Sequence, residues 1–217
     1  LNLPNISMTA SNSNNKIGKV TVTGLVIRGA QNWGISGGAL LVNNYQSLQL
    51  NNCVVRDNQA FHGGGIYSWD TDSIMIHNSL FTGNYASEHG GGMRIGGSGS
   101  FFKISNSIVR YNSTGTFDGG GIELEGDHKK VIIHTNIESN NSPQGRYGSG
   151  IYANANADSL LIMNSIIWTG YQSTGTGWSS IWLNGDKAVG YNNHIEVSSG
   201  SNFEFSRSGN NIFSDDN

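Results

Sequence analysis

The stretch Gly63-Gly64-Gly65-Ile66 decides the fold, because a cluster of small residues followed by an aliphatic residue returns along the whole chain. Five copies end at residues 40, 66, 93, 122 and 151, and a degenerate sixth, Trp178-Ser179-Ser180-Ile181, ends at 181. A recurring interval of 26 to 30 residues indicates a repeat architecture. No Gly-Lys-Ser or Gly-Lys-Thr sequence follows a cluster, which argues against a phosphate-binding loop.

A second pattern with the same period alternates aliphatic residues with others and then reaches an asparagine. Its clearest copy is Ile74-Met75-Ile76-His77-Asn78-Ser79-Leu80. Alternation with period two predicts strands with one buried face. Asparagine tolerates the left-handed backbone of a turn, and stacked amides can hydrogen-bond from one repeat to the next. We therefore predict an inward structural ladder of Asn52, Asn78, Asn106, Thr135, Asn164 and Asn193.

These two patterns predict an all-β fold, a right-handed parallel β-helix of about six to seven rungs, where a rung is one turn of the winding. The period is too short for a four-stranded propeller blade and suits two or three short strands per rung. The glycine clusters mark bends where side chains of successive rungs would clash. Residues 1–217 are expected to form one domain, with 1–17 as an N-terminal cap or linker, within a longer chain.

Composition excludes several other classes. No run of about 18 apolar residues occurs, so no membrane-inserted helix is expected. The formal charge is −3 and the 12 Lys and Arg residues form no basic cluster, so no nucleic-acid partner is expected. Cys53 is the single cysteine and cannot form an internal disulfide; it takes a slot that serine fills in other repeats, which favours a packing role.

Aligning the repeats on the glycine clusters places residues of chemical interest in two columns at one bend. His62, His89 and Asp118 come just before successive clusters, and Arg94 and Glu123 follow the aliphatic residue. Side chains one rung apart lie about 5 Å apart, which suits proton transfer or metal binding. The candidate catalytic residues are His62, His89, Asp118, Glu123, Glu125 and Arg94.

Aromatic residues in the same alignment favour sugar binding, because aromatic rings offer a flat apolar surface with a polar tip. The candidate ligand-binding residues are Tyr67, Trp69, Tyr152 and Trp182. Asp70-Thr71-Asp72 resembles half of a calcium loop, but the remaining Asp and Gly positions are missing and turn capping is favoured. No metal or other cofactor is predicted.

The motifs resemble a known group of bacterial proteins. Gly-Gly-Gly-Ile and Phe81-Thr82-Gly83-Asn84 are similar to the GGA[ILV] and FxxN repeats of polymorphic outer-membrane proteins. Asn164-Ser165-Ile166-Ile167-Trp168 and the end of the chain resemble choice-of-anchor cell-surface β-helix proteins. The resemblance covers roughly residues 18–217 and implies a secreted or cell-surface location on a bacterium.

Three functions stay open at this point. The first is an adhesin-like or carbohydrate-binding surface module, which the resemblance and the aromatic residues favour. The second is a polysaccharide lyase or glycoside hydrolase acting in a groove along the β-helix, since the fold alone does not decide function. The third is a self-assembling rod that associates end to end, because open rungs expose unpaired backbone groups.

Overall fold

A computed structural model describes residues 6–9, 16, 18–98, 101–126, 129–143, 146–154, 160–168, 180–184, 188–197, 205–209 and 211–215. Every regular element in these ranges is a β-strand, and no helix long and apolar enough to cross a membrane occurs within them. The strands are Ile6–Thr9 (β1), Lys19–Thr23 (β2), Val26–Arg28 (β3), Gln31–Asn32 (β4), Leu40–Asn43 (β5), Ser47–Asn51 (β6), Val54–Arg56 (β7), Gln59–Ala60 (β8), Ile66–Trp69 (β9), Ser73–His77 (β10), Leu80–Thr82 (β11), Tyr85–Ala86 (β12), Met93–Gly96 (β13), Phe101–Ser105 (β14), Ile108–Arg110 (β15), Ser113–Thr114 (β16), Ile122–Glu125 (β17), Lys129–Ile133 (β18), Asn136–Glu138 (β19), Ile151–Asn154 (β20), Leu160–Met163 (β21), Ile166–Trp168 (β22), Ile181–Asn184 (β23), Ala188–Tyr191 (β24), His194–Val197 (β25), Phe205–Gly209 (β26) and Ile212–Asp215 (β27).

The strands stack into four sheets whose pairings are all parallel, so the chain is a β-solenoid, as predicted. One rung visits the sheets in turn, for example as β10, β11, β12 and β13. Sheet 1 is ordered β2-β6-β10-β14-β18-β21-β24-β26, sheet 2 β3-β7-β11-β15-β19-β22-β25-β27, sheet 3 β4-β8-β12-β16 and sheet 4 β1-β5-β9-β13-β17-β20-β23. Part of the segment expected to be a cap or linker, β1, pairs with β5 in sheet 4. The right-handed winding stays a prediction.

Aliphatic side chains fill the interior in columns that run from rung to rung. In sheet 1 one column is in direct register and its members are at most 1% exposed: Leu50, Ile76, Ile104, Ile132 and Ile162. Equivalent residues of successive rungs stack at the strand spacing of about 4.8 Å. Together they form a continuous buried core that no single rung could form alone. The period-two alternation thus identifies the inward positions of most strands.

The glycine clusters lie where the chain enters sheet 4, and their steric role is confirmed. A Cβ atom on Gly91 would lie 2.3 Å from the carbonyl oxygen of Gly120 in the next rung. The first glycine of a cluster also has a positive φ, +65° at Gly90 and +70° at Gly119. Only glycine satisfies both demands at low cost.

The asparagine column predicted to point inward lies on the surface. Asn52, Asn78, Asn106 and Asn164 are exposed at the corner between sheets 1 and 2, with φ between 48° and 55°. Left-handed backbone explains the preference for asparagine there, and Asn78 Nδ2 donates to Asn52 Oδ1 across one rung. The inward orientation was therefore wrong, whereas the turn and the ladder of amides are present.

Two members of that predicted column belong to its neighbour. The register pairs Ile133 with Ser105 and Met163 with Tyr191, which puts Thr135 and Asn193 one position too far along. They continue a buried column of small polar residues that starts at Cys53 and includes Ser79, Ser107 and Ser165. The packing role predicted for Cys53 fits this place, because its side chain is 1% exposed.

The buried asparagine ladder runs instead through Asn58, Asn84, Asn112 and Asn140, at the corner between sheets 2 and 3. Each is at most 1% exposed. Asn84 Nδ2 donates to Asn112 Oδ1 at 2.9 Å and to the Val55 carbonyl at 2.9 Å. Asn84 Oδ1 accepts from the backbone nitrogen and the side-chain amide of Asn58 at 3.2 and 2.9 Å. Buried amides are tolerated here because each finds partners in the rungs above and below.

Candidate functional site

The column predicted after each glycine cluster is present on the outer face of sheet 4. Direct register pairs join Leu41, Tyr67, Arg94, Glu123, Tyr152 and Trp182 in that order. The same strands carry a second outward column, in which Trp69 lies beside Gly96 and Glu125 beside Asn154. Together with the residues before the glycine clusters, these two columns form what we name the sheet 4 face.

Glu123 is the centre of the sheet 4 face, and its neighbours cover it so well that it is 1% exposed. His89 Nδ1 lies 3.0 Å from Glu123 Oε2, and Arg94 Nε lies 3.6 Å from Glu123 Oε1. Glu125, two residues along the same strand, accepts from Arg94 Nη2 at 2.6 Å and from Nε at 3.1 Å. One arginine therefore joins two carboxyl groups.

The two carboxyl groups have opposite pKa shifts. Burial raises the pKa of Glu123 well above its usual range, and a hydrogen bond to Glu125 acts in the same direction. Burial alone would raise the pKa of Glu125, but hydrogen bonds from Glu123 and Arg94 and the charge of Arg94 lower it. Glu123 is thus the protonated member of the pair and Glu125 the carboxylate.

His62 and His89 lie side by side on successive rungs, with ring centroids 5.4 Å apart. Burial lowers the pKa of His62 to about 4, with the charges of Arg94 and His89 adding to the effect. Burial and then Arg94 also lower the pKa of His89. Both imidazoles are therefore neutral at neutral pH, and His62 Nδ1 has no hydrogen-bond partner in the described part of the chain.

Asp118 does not complete the predicted triad with the two histidines. Its Oδ1 accepts from the backbone nitrogen of Tyr147 at 2.6 Å, which ties it to the next rung. Within the described ranges no group of three His, Cys, Asp or Glu side chains is placed to hold a metal ion. The arrangement supports proton sharing among His89, Glu123 and Glu125, which the sequence alignment grouped correctly.

Aromatic rings lie toward the N-terminal rungs of the sheet 4 face, which we call its lower end. The rings of Tyr67 and Trp69 are nearly parallel, at 11°, with centroids 6.0 Å apart. A Cβ on Gly96 would lie 2.3 Å from the Trp69 ring, so the indole rests directly over that glycine. The Arg94 guanidinium lies 5.6 Å from the centroid of the Trp69 ring. Burial raises the pKa of the Tyr67 phenol, which stays neutral.

A second aromatic pair lies toward the C-terminal rungs, at the upper end of the face. Tyr147 stacks on Trp182 with centroids 3.8 Å apart and planes at 19°. Between the two ends, Phe117 stacks on His89 at 4.6 Å, and the Arg146 guanidinium lies 4.7 Å from the Phe117 ring centroid. Tyr152 lies in register between Glu123 and Trp182.

Sequence reasoning did not select Phe117, Tyr147 or Arg146 for this site. Tyr147 continues the column of His62, His89 and Asp118. Phe117 directly precedes Asp118, just as Phe61 directly precedes His62 two rungs below. The alignment contained both signals. What it did not supply was the direction of the side chains, because the loops before the glycine clusters lie outside the regular strands.

The aspartates that resemble half of a calcium loop make intramolecular contacts. Asp70 Oδ1 accepts from the backbone nitrogen and the hydroxyl of Ser98 at 2.7 and 2.9 Å, and Asp72 forms an ion pair with Lys16 at 2.6 Å. Asp70 has a φ of 56° and thus caps a turn. The two aspartates make different contacts, so their carboxylates do not form a common cation site.

Two open depressions lie elsewhere on the described surface. One of about 280 Å³ follows the exposed asparagine corner and is lined by Asn52, Asn78, Leu80 and Ile108, among others. A second of about 250 Å³ lies on sheet 1 next to Met75, His77 and Lys103. Neither contains charged groups of both signs.

Comparisons with known proteins identify no relative. No family model, no curated protein and no solved structure matches the chain. The solenoid fold therefore rests on the strand register, and the specific family suggested by the repeat motifs stays a resemblance.

Proposed function

We propose that the chain is a carbohydrate-binding module and that the sheet 4 face is its binding surface. The observation that carries the proposal is the arrangement of aromatic pairs at both ends of a hydrogen-bonding centre. Aromatic rings stack on the C–H faces of sugars, while buried polar groups beside them fix orientation.

The polar centre supports the same proposal. Arg94 and Glu125 are held by each other at 2.6 Å, and their side chains are 13% and 21% exposed, so part of the pair is accessible to a ligand. Because the pair is already formed in the free protein, binding a sugar hydroxyl would order few side chains, and preorganisation of this kind favours affinity.

The resemblance of the repeats to those of bacterial surface proteins supports a proposal for where the protein acts. Polymorphic outer-membrane proteins and choice-of-anchor β-helix proteins display their repeats at the bacterial surface, and we propose an adhesin-like role there. Detection of the native chain by antibody on intact cells tests the location, and detection only after lysis contradicts it.

The binding test is a glycan array probed with the wild type and with Tyr67→Ala, Tyr152→Ala and Trp182→Ala. Each substitution removes a ring and is expected to weaken binding about tenfold. Trp168→Ala is the matched control, since Trp168 is 42% exposed on sheet 2, away from the face. If no glycan binds, or if the control weakens binding equally, the proposal is wrong.

A second candidate is hydrolysis or elimination of a polysaccharide, favoured by the opposite pKa shifts of Glu123 and Glu125. Paired carboxyl groups with separated pKa values are typical of acid–base catalysis. Two features count against it: Glu123 is 1% exposed, and the hydrogen-bonded pair is closer than the ~5 to 9.5 Å between glycosidase carboxyl groups.

The test incubates the protein with pectin, alginate and neutral glucans and measures reducing ends and unsaturated products. We expect no product from any of them. Product formation that Glu125→Gln abolishes would overturn the binding-only proposal in favour of the enzyme.

A further inference from the structure

We infer, resting on the proposed function, that the ligand is an extended, uncharged glycan chain that lies along the solenoid axis, with one sugar facing each rung. The inference concerns the direction, the length and the charge of the ligand. Each follows from a separate property of the sheet 4 face.

The direction follows from where the aromatic pairs lie. Strands of sheet 4 are short, as in β9 and β13, and each offers two outward positions. The two aromatic pairs are separated along the axis and not across the strands, with Tyr67 and Trp182 in one column. A chain that crossed the strands would meet only one of the pairs, whereas a chain along the axis meets both.

The length follows from the register. Tyr67 and Trp182 are four register steps apart, which is ~19 Å at ~4.8 Å per rung. The rise of one rung is close to the length of one pyranose residue in an extended polymer. A chain that touches both aromatic ends therefore needs about four to five sugars at this spacing.

The charge follows from the pairing of the ionisable groups. Arg94 is held by Glu125 and Glu123, and Glu88 lies 3.7 Å from His62. Asp118 accepts a backbone hydrogen bond. An anionic chain would bring one negative charge to each rung of a face whose described acids outnumber its arginines.

A polycationic chain fits no better. The carboxyl groups of the face already have partners within the protein, so an incoming ammonium group would have to displace Arg94 from Glu125 or leave its own charge poorly solvated. Hydrogen bonding and stacking with an uncharged chain require neither change.

The experiment measures affinities by titration calorimetry for uncharged gluco-, xylo- and manno-oligosaccharides from disaccharide to hexasaccharide. Galacturonate and glucosamine oligomers of matched length are titrated in parallel. We expect the uncharged chains to bind at least tenfold more tightly than the charged ones, with affinity rising up to the tetra- or pentasaccharide and then levelling.

Variants locate the chain on the face. Tyr67→Ala should weaken the pentasaccharide about tenfold and leave the disaccharide nearly unchanged relative to Tyr67→Phe, which keeps the ring. Trp168→Ala is the control outside the face, and circular dichroism verifies that each variant keeps its β-sheet content.

The outcomes separate the inference from the function beneath it. Tighter binding of galacturonate or glucosamine chains overturns the uncharged ligand and leaves carbohydrate binding intact. Equal affinity for the disaccharide and the pentasaccharide overturns the axial direction. Binding of none of these chains, together with an empty glycan array, overturns the proposed function itself.

Discussion

Replacing Asn84 with alanine tests whether the buried asparagine ladder holds successive rungs together. The Asn84 side chain makes four hydrogen bonds, two as a donor and two as an acceptor, to three other residues. Alanine removes the acceptor of the Asn58 backbone nitrogen and the amide donor to the Val55 carbonyl. Asn112 Oδ1 keeps the Asn84 backbone nitrogen as its donor.

The magnitude follows from the groups left without those partners. A buried polar group that loses its partner costs about 1–3 kcal/mol, so the Asn58 nitrogen and the Val55 carbonyl together give about 2–6 kcal/mol. Water cannot easily replace the missing amide, because Asn58 and Asn84 are at most 1% exposed. The loss is a large fraction of the stability of a typical domain.

Asn78→Gly is the matched control. Asn78 is an exposed member of the surface ladder with a φ of 48°, a conformation that glycine adopts freely. It loses one hydrogen bond to Asn52 at an exposed corner, and we expect a change of about 0.5 kcal/mol or less.

Urea unfolding followed by far-UV circular dichroism and tryptophan fluorescence measures both variants. A solenoid can unfold rung by rung, so coincidence of the two signals must be tested before free energies are extracted. Hydrogen exchange at the Asn58 amide gives a local measurement. If Asn84→Ala and Asn78→Gly lose equal stability, the ladder does not contribute as we have argued.

Three further predictions concern the sheet 4 face and the bend beside it. At low pH, where Glu123 is protonated in both the folded and the unfolded state, Glu123→Gln should change stability by less than about 1 kcal/mol, because glutamine resembles a protonated acid; at neutral pH, Glu125→Gln should cost more, because it removes the nearest acceptor of Arg94. Because the pKa of Glu123 is raised in the folded state, the free energy of unfolding falls as pH rises above 4.5. Urea titrations should show that Glu123→Gln removes this fall. The His62 imidazole should stay neutral by NMR down to about pH 4, and stability should rise from that pH to 6.5 less steeply in His62→Gln; an imidazole that titrates near 6.5 contradicts this. Gly91→Ala should cost at least about 3 kcal/mol, since its Cβ would meet a carbonyl oxygen of the next rung at 2.3 Å, and Gly34→Ala, with no atom within 4 Å, should be neutral in the same unfolding assay.

The sequence predicted the outward columns of sheet 4 correctly because glycine clusters mark the start of each strand there. The second residue after such a cluster has a fixed direction, so Tyr67, Arg94 and Glu123 could be aligned without coordinates. A sterically crowded backbone bend can be recognised in the sequence, because few residues other than glycine fit there.

Thr135 was placed in the asparagine column because the alternation is ambiguous in its rung. Val131-Ile132-Ile133 is apolar throughout, so the pattern allows either Val131 and Ile133 or Ile132 alone to face the interior. In the structure Lys130 points inward, in register with Phe102 and Leu160, and its Nζ donates to the Gly126 carbonyl at 3.1 Å. A slip of one residue exchanges the two faces of a strand. An alignment that assigns Lys130 to solvent therefore puts Thr135 at the position that His134 occupies.

The sequence predicted the register of the sheet 4 face better than its chemistry, because the chemistry depends on burial by loops. Outward residues of a strand are expected to be solvated, and an Arg–Glu pair would then be worth under about 1 kcal/mol. Glu123 differs because Arg94 and His89 lie against its carboxyl group and leave it 1% exposed. The same burial that raises its pKa also removes it from direct contact with a ligand. The groups left partly exposed for recognition are thus the aromatic rings and the Arg94–Glu125 pair, while Glu123 acts as a buried support for Arg94.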